Sequence, residues 1–363
     1  MNNILTNHTR NPYYIVAARY VRTSAGIRAL HLLCHALNLA GERAYMIINP
    51  FHPRDFSTHP DLLTPHLTPQ VLESHYKRGI TPITVYPETI GGNPYNSPFV
   101  VRYVLNYPGL LGGDKKYDPN EFCITYSKKL EKSINNSRMT LFIPTSDPGI
   151  FNNDKEEHRK GTCFYAAKYQ DYHHGKLLPI TNNSIEITRG KPNSQTPQQI
   201  ADILRKSEVF YCYENSALVI EAILCGCPVV FLPNEFLTES LGSEEIGWDG
   251  IAWGTNPEEI ERAKKTVNKG RERYLYLFEK FSHDLSTFIR LTQNEVSSVR
   301  YESPVQIPFY FSWNSQGSLG KILIAVDIFR FTAQNSGLRY AIFKFIRRIL
   351  RKGFSLDLDG IGL

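Results

Sequence analysis

The sequence lacks the features of a zinc-bound, disulfide-linked or membrane-spanning protein. Its six cysteines form no Cys-x-x-Cys pair, which argues against both a zinc site and a disulfide framework. No run reaches the ~18 apolar residues that a spanning helix needs, and the N-terminus has no basic segment followed by an apolar one. We therefore expect a protein of the reducing cytoplasm without a metal.

The composition is that of a folded chain. Hydrophobic residues make up 42% and charged residues 21% of the 363 residues, with 21 tyrosines and 20 phenylalanines. This aromatic content is too high for a disordered chain. The length exceeds what one core usually fills, so we expect two compact domains and an appendage.

The N-terminal part of the chain predicts a strand–helix–strand unit. Tyr13–Arg19 and Arg43–Ile48 have strand character, and Ile27–Leu39 is apolar at helical spacing. Gly41 stands where a helix ends in the left-handed conformation. Because crossovers between parallel strands are right-handed, this unit predicts a parallel sheet.

The same alternation continues through the rest of the chain. Further strands are predicted at Ile83–Tyr86, Phe122–Tyr126, Thr140–Ile143, Cys163–Ala167, Ile185–Ile187, Val209–Tyr213 and Val229–Leu232. Helices are predicted at Val100–Gly109, Pro197–Ser207 and Ser216–Leu224, with Thr196 as the N-cap of the second.

The predicted fold class is α/β, with two Rossmann-like domains at 1–143 and 144–290 and a C-terminal helical extension at 291–363. Prolines and a charged run break the pattern between residues 144 and 160. A cleft between two such domains is the expected ligand site.

The segment Tyr213–Asn234 (YENSALVIEAILCGCPVVFLPN) carries the strongest functional signal. Glu214, Asn215 and Ser216 follow a predicted strand and precede a helix that carries Glu221. Ligands of open parallel sheets bind at this edge, where helix N-termini present unsatisfied N–H groups. The alternative is structural, with Asn215 or Ser216 capping the helix and the carboxylates favouring its first turn.

This segment resembles the glutamate-pair motif of GT-B glycosyltransferases of family 4, in which a Glu, a short apolar helix, Glu-Ala and Gly-x-Pro-Val-Val occur in that order. The resemblance implies that Glu214 contacts the donor sugar and that Glu221 hydrogen-bonds the ribose. Carboxylate oxygens suit such hydroxyl pairs. The two glutamates are one residue closer than in the family, which leaves inversion open beside the family's retaining mechanism. The Glu-Asn-Ser order is also similar to that of GT-B fucosyltransferases.

Two further stretches match the family in order. Phe164–Lys168 and Gly175-Lys176 stand where it has a strand and a basic pair, so Lys168 and Lys176 are predicted to bind the donor diphosphate and stabilise its departure. Gly26 corresponds to a glycine-bearing loop that approaches the phosphates. Solvated lysines and a plain turn are the alternatives.

The loop Val85–Pro94 (VYPETIGGNP) follows a predicted strand and is rich in glycine and proline. Glu88 is predicted to bind the acceptor, or to act as general base if the enzyme inverts configuration. Asn93 and Arg102 are further acceptor-binding candidates. The alternative is that Glu88 is a loop residue only.

The segment Leu338–Phe354 predicts a cationic amphipathic helix. Such helices bind anionic membrane surfaces through both faces. Binding of nucleic acid is the weaker interpretation, and a helix packed on the protein's own surface is the structural alternative. The residues predicted to contact the membrane are Lys344, Phe345, Arg347, Arg348 and Arg351.

The resemblance thus implies a bacterial hexosyl- or deoxyhexosyltransferase that needs no cofactor or metal. It would move a sugar from a nucleotide-sugar donor to a growing lipid-linked surface glycan (lipopolysaccharide O-antigen or capsule). We expect it in the cytoplasm, peripheral on the inner membrane face, and not bound to nucleic acid. The alternatives are a GT-B transferase that uses a sugar acid linked to a nucleoside monophosphate, and a non-catalytic membrane-associated glycan-binding protein.

Overall fold

The computed structural model describes residues 10–49, 57–154, 158–171, 173–191 and 193–307, and beyond them Val326, Phe329, Ala333, Leu338 and Ile342. The chain divides into two compact units. Unit 1 comprises Met1–Tyr126, Leu130–Leu141 and Asp284–Leu363, and unit 2 comprises Ser127–Lys129 and Phe142–His283.

Strands and helices alternate in both units. In chain order they are β1 (Tyr13–Ala17), α1 (Ala25–Leu39), β2 (Ala44–Ile48), α2 (Pro69–Lys77), β3 (Ile83–Pro87), β4 (Phe99–Val104), β5 (Phe122–Thr125), α3 (Lys128–Glu131), β6 (Ser137–Thr140), β7 (Thr162–Tyr165), α4 (Ala167–Asp171), a 3-10 turn (Pro179–Thr181), β8 (Ile185–Glu186), α5 (Pro197–Lys206), β9 (Val209–Cys212), α6 (Leu218–Leu224), β10 (Val229–Phe231), α7 (Ser243–Ile246), β11 (Ile251–Trp253) and α8 (Pro257–Val296).

Each unit is built on one parallel sheet. The strand order is β2-β1-β3-β4-β5-β6 in unit 1 and β11-β10-β9-β7-β8 in unit 2. Every pairing between these strands of the described residues is parallel. The two predicted α/β domains with parallel sheets are thereby confirmed.

Local signals explain where the predicted helices begin and end. Helix α1 ends before Gly41, which has φ +84° and donates its N–H to the Asn38 carbonyl. Helix α5 begins at Pro197 after Thr196, which accepts the N–H of Gln199 at 3.2 Å while the Gln199 side chain accepts the Thr196 N–H. Both helices lie where the sequence predicts them.

Two predicted elements are wrong. The helix predicted at Val100–Gly109 is absent, because Phe99–Val104 form strand β4 and the residues after it form a loop. All six residues of β4 are buried, and a fully buried strand shows no alternation that would distinguish it from a helix. The strand predicted at Thr140–Ile143 lies instead at Ser137–Thr140, an edge strand with no buried residue. Its weak hydrophobicity hides it from pattern analysis.

The end of α8 and the segment after it belong to unit 1. The Thr292 hydroxyl lies 2.8 Å from the Tyr13 hydroxyl, and Gln293 bonds the backbone of Asn11. Val305 completes a core cluster with Tyr14. The described start of the predicted extension, 291–307, therefore packs on unit 1.

Beyond residue 307 the described residues are each in helical conformation, and Leu338 and Ile342 are exposed. The predicted membrane contacts Lys344, Phe345, Arg347, Arg348 and Arg351 lie outside the described residues. Within the part of the chain that is described, no helix combines the length and hydrophobicity needed to cross a membrane.

A buried histidine makes unit 1 sensitive to acid. His31 is fully buried; its Nε2 donates to the Ala18 carbonyl at 2.9 Å, so Nδ1 is unprotonated. Burial lowers the pKa of His31 to about 4. Since the unfolded chain takes up this proton near pH 6.5, the free energy of unfolding falls as pH drops from about 6.5 to 4, by up to about 3 kcal/mol.

We expect His31→Gln, which keeps a donor for Ala18, to gain stability relative to the wild type as pH falls through this window. Urea titrations at several pH values measure the difference. His283→Gln, at an exposed position of α8, is the control and should follow the wild type. A pH-independent difference for His31→Gln would contradict the prediction.

Candidate functional site

Loops after three neighbouring strands of unit 2, β7, β9 and β10, meet around Tyr213. Its hydroxyl accepts the N–H of Leu178 at 2.7 Å and lies 3.0 Å from the Thr181 hydroxyl. Its carbonyl accepts from the Asn234 side chain at 2.9 Å, and the Tyr169 ring stacks on its ring with centroids 5.2 Å apart. These contacts join the three loops at the carboxyl edge of the sheet.

A glycine allows this packing. The Tyr169 ring lies against Gly175 so closely that a Cβ there would be 2.2 Å from the ring. The Tyr169 hydroxyl also donates to the Lys176 carbonyl at 3.3 Å. These contacts hold the loop after α4 in one position beside the strand ends.

Glu214 follows β9 at this edge and is only 8% exposed. Its Oε2 accepts the backbone N–H groups of Lys168 at 2.6 Å and Tyr169 at 3.1 Å, at the start of α4. Its Oε1 is buried and has no hydrogen-bond donor among the described residues. Burial raises the pKa of Glu214, and the nearby Lys168 ammonium and the two N–H donors oppose that rise.

Thus Oε2 of Glu214 accepts two backbone hydrogen bonds, whereas Oε1 accepts none from the described residues. A buried acceptor without a donor costs about 1–3 kcal/mol, and most such groups in native proteins are satisfied. A hydroxyl group bound at Oε1 would recover this cost, and binding of a donor sugar by Glu214 stays a prediction.

The two predicted lysines are exposed. Lys168 lies beside Glu214 through its backbone N–H, and Lys176 is in the loop fixed by Tyr169. In the described ranges neither ammonium forms an ion pair with a carboxylate. Both charges therefore face solvent at the same edge as Glu214.

Asn215 and Ser216 make internal contacts. The Asn215 side chain donates to the Glu239 carbonyl and accepts the Leu241 N–H, both at 2.9 Å. The Ser216 hydroxyl accepts the Leu218 N–H at 3.3 Å, at the start of α6. These contacts fit the alternative in which the two residues have a structural role at the start of the helix. Binding of the donor by either residue stays a prediction.

Glu221 is 1% exposed and forms a buried ion pair with Arg189. Its predicted bond to a ribose stays a prediction, since the carboxylate is turned toward the guanidinium. Sequence patterns do not identify Arg189 as the partner of Glu221, because it lies 32 residues away in a loop after the short edge strand β8. A lone cation after a strand was the only available signal.

Glu88 occupies the corresponding edge in unit 1, directly after β3, and is 3% exposed. Its Oε2 accepts the N–H of Leu105 at 3.0 Å, at the end of β4. Gly113 covers its backbone so closely that a Cβ would lie 2.0 Å from the Glu88 carbonyl oxygen. Burial raises the pKa of Glu88 to about 7, the range that suits a general base.

Arg102 lies in β4 with its side chain fully buried, not on a helix as predicted. Its guanidinium binds both carboxylate oxygens of Glu121, at 2.8 and 2.9 Å. It also donates to the carbonyls of Pro87, Ile90 and Gly92. Arg102 therefore shapes the loop that carries Glu88 and offers no exposed charge to an acceptor.

Asn93 also holds this loop. Its Oδ1 accepts from the Tyr86 hydroxyl and the Ser97 N–H, and its Nδ2 donates to the Ser97 carbonyl at 2.8 Å. Binding of an acceptor by Asn93 stays a prediction.

Gly26 lies in the first turn of α1, after the N-cap Ser24. A Cβ at this position would be 3.7 Å from Leu105, an ordinary contact, so packing does not demand glycine. Its approach to a phosphate stays a prediction. Within the described chain, no group of three or more His, Cys, Asp or Glu residues is arranged to hold a metal ion.

Comparison with known proteins gives similarity at the level of structure alone. No family model matches the chain, and no curated protein matches its sequence. A glycosyltransferase from Rickettsia africae ESF-5 is similar with 11% identity and a TM-score of 0.46, over 80% of this chain and 100% of that one. AviGT4, a glycosyltransferase involved in avilamycin A biosynthesis, has 14% identity and a TM-score of 0.43, over 80% and 99% of the chains. WaaG, a glycosyltransferase involved in lipopolysaccharide biosynthesis, has 9% identity and a TM-score of 0.36, over 79% and 100%.

Proposed function

We propose that the protein is a glycosyltransferase that moves a hexosyl or deoxyhexosyl group from a nucleotide-sugar donor to an acceptor hydroxyl. The observation that carries the proposal is Glu214, whose buried Oε1 has no donor among the described residues and lies at the carboxyl edge of a parallel sheet. A hydroxyl of a donor sugar would satisfy it.

The donor side of the reaction is assigned to unit 2. Glu214 accepts a hydroxyl of the sugar, and the exposed ammonium groups of Lys168 and Lys176 bind the diphosphate. As the bond between the anomeric carbon and the phosphate oxygen breaks, negative charge grows on that oxygen and the lysines stabilise it. Glu221 is assigned to the ribose, which requires its carboxylate to exchange the Arg189 guanidinium for ribose hydroxyls.

The acceptor side is assigned to unit 1. If the reaction inverts configuration, Glu88 takes the proton of the acceptor hydroxyl as that oxygen forms the new bond to the anomeric carbon. If configuration is retained, as the motif resemblance implies, Glu88 binds the acceptor hydroxyl instead. The acceptor is proposed to be a lipid-linked surface glycan at the cytoplasmic membrane face, reached through the basic segment 338–354.

The donor sugar is proposed to be neutral. If the carboxylate of a sugar acid took the place of the hydroxyl at Glu214, it would face a buried carboxyl group, and like charges at close range in a low-dielectric site repel strongly. A neutral hydroxyl meets no such penalty, which disfavours the sugar-acid donor.

A panel of nucleotide sugars, with detection of released nucleoside diphosphate, tests the proposal. We expect turnover with at least one donor and a loss of about 10²–10³-fold in kcat/KM for Glu214→Gln. Gln still offers an oxygen to the α4 N–H groups but removes the charge. Glu208→Gln is the matched control, an exposed residue just before the amino end of the same strand.

Wild-type turnover by Glu214→Gln would remove this residue from the site. Failure of every donor, both to react and to raise the unfolding temperature, would contradict the proposed function, since a bound ligand stabilises the folded state.

A further inference from the structure

An exposed aromatic pair lies beside Glu214 and has no role so far. The rings of His173 and Phe236 stack with centroids 3.8 Å apart and planes within 12°. Phe236 is 48% exposed and His173 is also exposed. Exposed aromatic side chains in a fixed stack leave an apolar ring face open to solvent at a polar edge of the sheet.

Both rings are tethered to the residues that surround Glu214. The His173 N–H donates to the Lys168 carbonyl at 3.3 Å, and the Lys168 N–H donates to Glu214. The His173 imidazole is close enough to lower the pKa of Glu214, against the larger effect of burial.

Phe236 is tethered from the other side. Its N–H donates to the Asn234 side chain at 3.0 Å, and Asn234 donates to the carbonyl of Tyr213, the residue before Glu214. The backbones of Asn234 and Leu237 exchange hydrogen bonds, and Leu237 is 1% exposed. The turn that carries Phe236 is therefore anchored in the core.

We propose that the Phe236–His173 pair is the apolar wall of the donor-sugar subsite, which rests on the proposed function. A pyranose has one edge of hydroxyl groups and faces of C–H groups. The hydroxyl edge suits the unpartnered Oε1 of Glu214, and a C–H face suits an exposed aromatic ring. The pair thus recognises the sugar of the donor rather than its nucleotide.

The test compares binding of nucleotide sugars with binding of the same nucleotides without sugar. UDP-glucose, dTDP-glucose and GDP-mannose are titrated by calorimetry against UDP, dTDP and GDP. For the donor that binds, we expect Phe236→Leu to weaken the nucleotide sugar about tenfold and to leave the nucleoside diphosphate unchanged. Phe236→Tyr, which keeps the ring, should bind both ligands as the wild type does.

Tyr276→Leu, an exposed aromatic residue of α8 at 61% exposure, is the control and should change neither affinity. Equal weakening of nucleotide sugar and nucleotide would overturn the proposal and assign the ring to the base. Unchanged affinities for Phe236→Leu would also overturn it, while leaving the proposed function intact. Absence of nucleotide-sugar binding by the wild type would overturn both together.

Discussion

In an inverting reaction, where Glu88 is the proposed general base, Glu88→Gln is expected to lower kcat/KM by about 10²–10⁴-fold, the usual contribution of such a base. Gln has nearly the same shape and can still accept the Leu105 N–H, which lies 3.0 Å from the Glu88 carboxylate. It cannot accept the proton of an attacking hydroxyl. The variant therefore separates proton transfer from the packing of the loop.

The pH dependence of the wild type checks the same assignment. Burial raises the pKa of Glu88 to about 7, and a base acts only when ionised. We therefore expect kcat/KM to rise as pH increases through about 7 and to level off above it. This acid limb should be absent from the residual activity of Glu88→Gln.

The free energy of unfolding should change with pH in the opposite direction from kcat/KM. Because the folded pKa of Glu88 lies above the ordinary value of 4.5, the free energy of unfolding falls as pH rises from about 4.5 to 7. Above pH 7 the buried charge costs on the order of 3 kcal/mol. Glu88→Gln is expected to unfold at a higher urea concentration at pH 8, which excludes misfolding as the cause of lost activity.

Glu73→Gln is the matched control, a carboxylate of α2 with 62% of its side chain exposed. It should retain both activity and stability. A Glu88→Gln enzyme with the wild-type rate and pH profile would show that Glu88 is not the base, and would favour a retaining mechanism.

Most of the fold could be predicted because its signals are local. Gly41 ends α1 and Thr196-Pro197 begins α5 through contacts within a few residues. Strand β4 could not be told from a helix, because Phe99–Val104 is buried on both faces and therefore shows no alternation of apolar and polar residues. Edge strand β6 has too few apolar residues to be recognised.

The candidate site divides in the same way. Glu88 and Glu214 could be found because a residue that directly follows a parallel strand must lie at the carboxyl edge of its sheet. Their partners depend on how distant loops fold. The pairing of Arg189 with Glu221 and the stacking of His173 on Phe236 join residues far apart in the chain, so no spacing in the sequence indicates them.

The burial of Arg102 gives the largest expected effect on stability. The guanidinium lies over the rings of Tyr86 and Tyr117, 5.3 and 5.2 Å from their centroids, and binds Glu121 in a bidentate pair. Arg102→Met leaves Glu121, whose side chain is 10% exposed, without its partner. We expect a loss of about 3–5 kcal/mol in the free energy of unfolding of unit 1, because a buried charge is left uncompensated.

Arg102→Met should also alter the activity, because Arg102 acts on Glu88. The Arg102 side chain holds the carbonyls on either side of the Glu88 loop, and its charge lowers the pKa of Glu88 against the larger effect of burial. In Arg102→Met the acid limb of the pH–rate profile should move to higher pH, a shift that lost stability alone would not produce.

Arg138→Met is the control, because it breaks an ion pair with Glu295 that is half exposed. This variant should lower the free energy of unfolding by less than about 1 kcal/mol and leave the pH–rate profile unchanged. If the two variants lose equal stability, the buried network does not anchor the Glu88 loop.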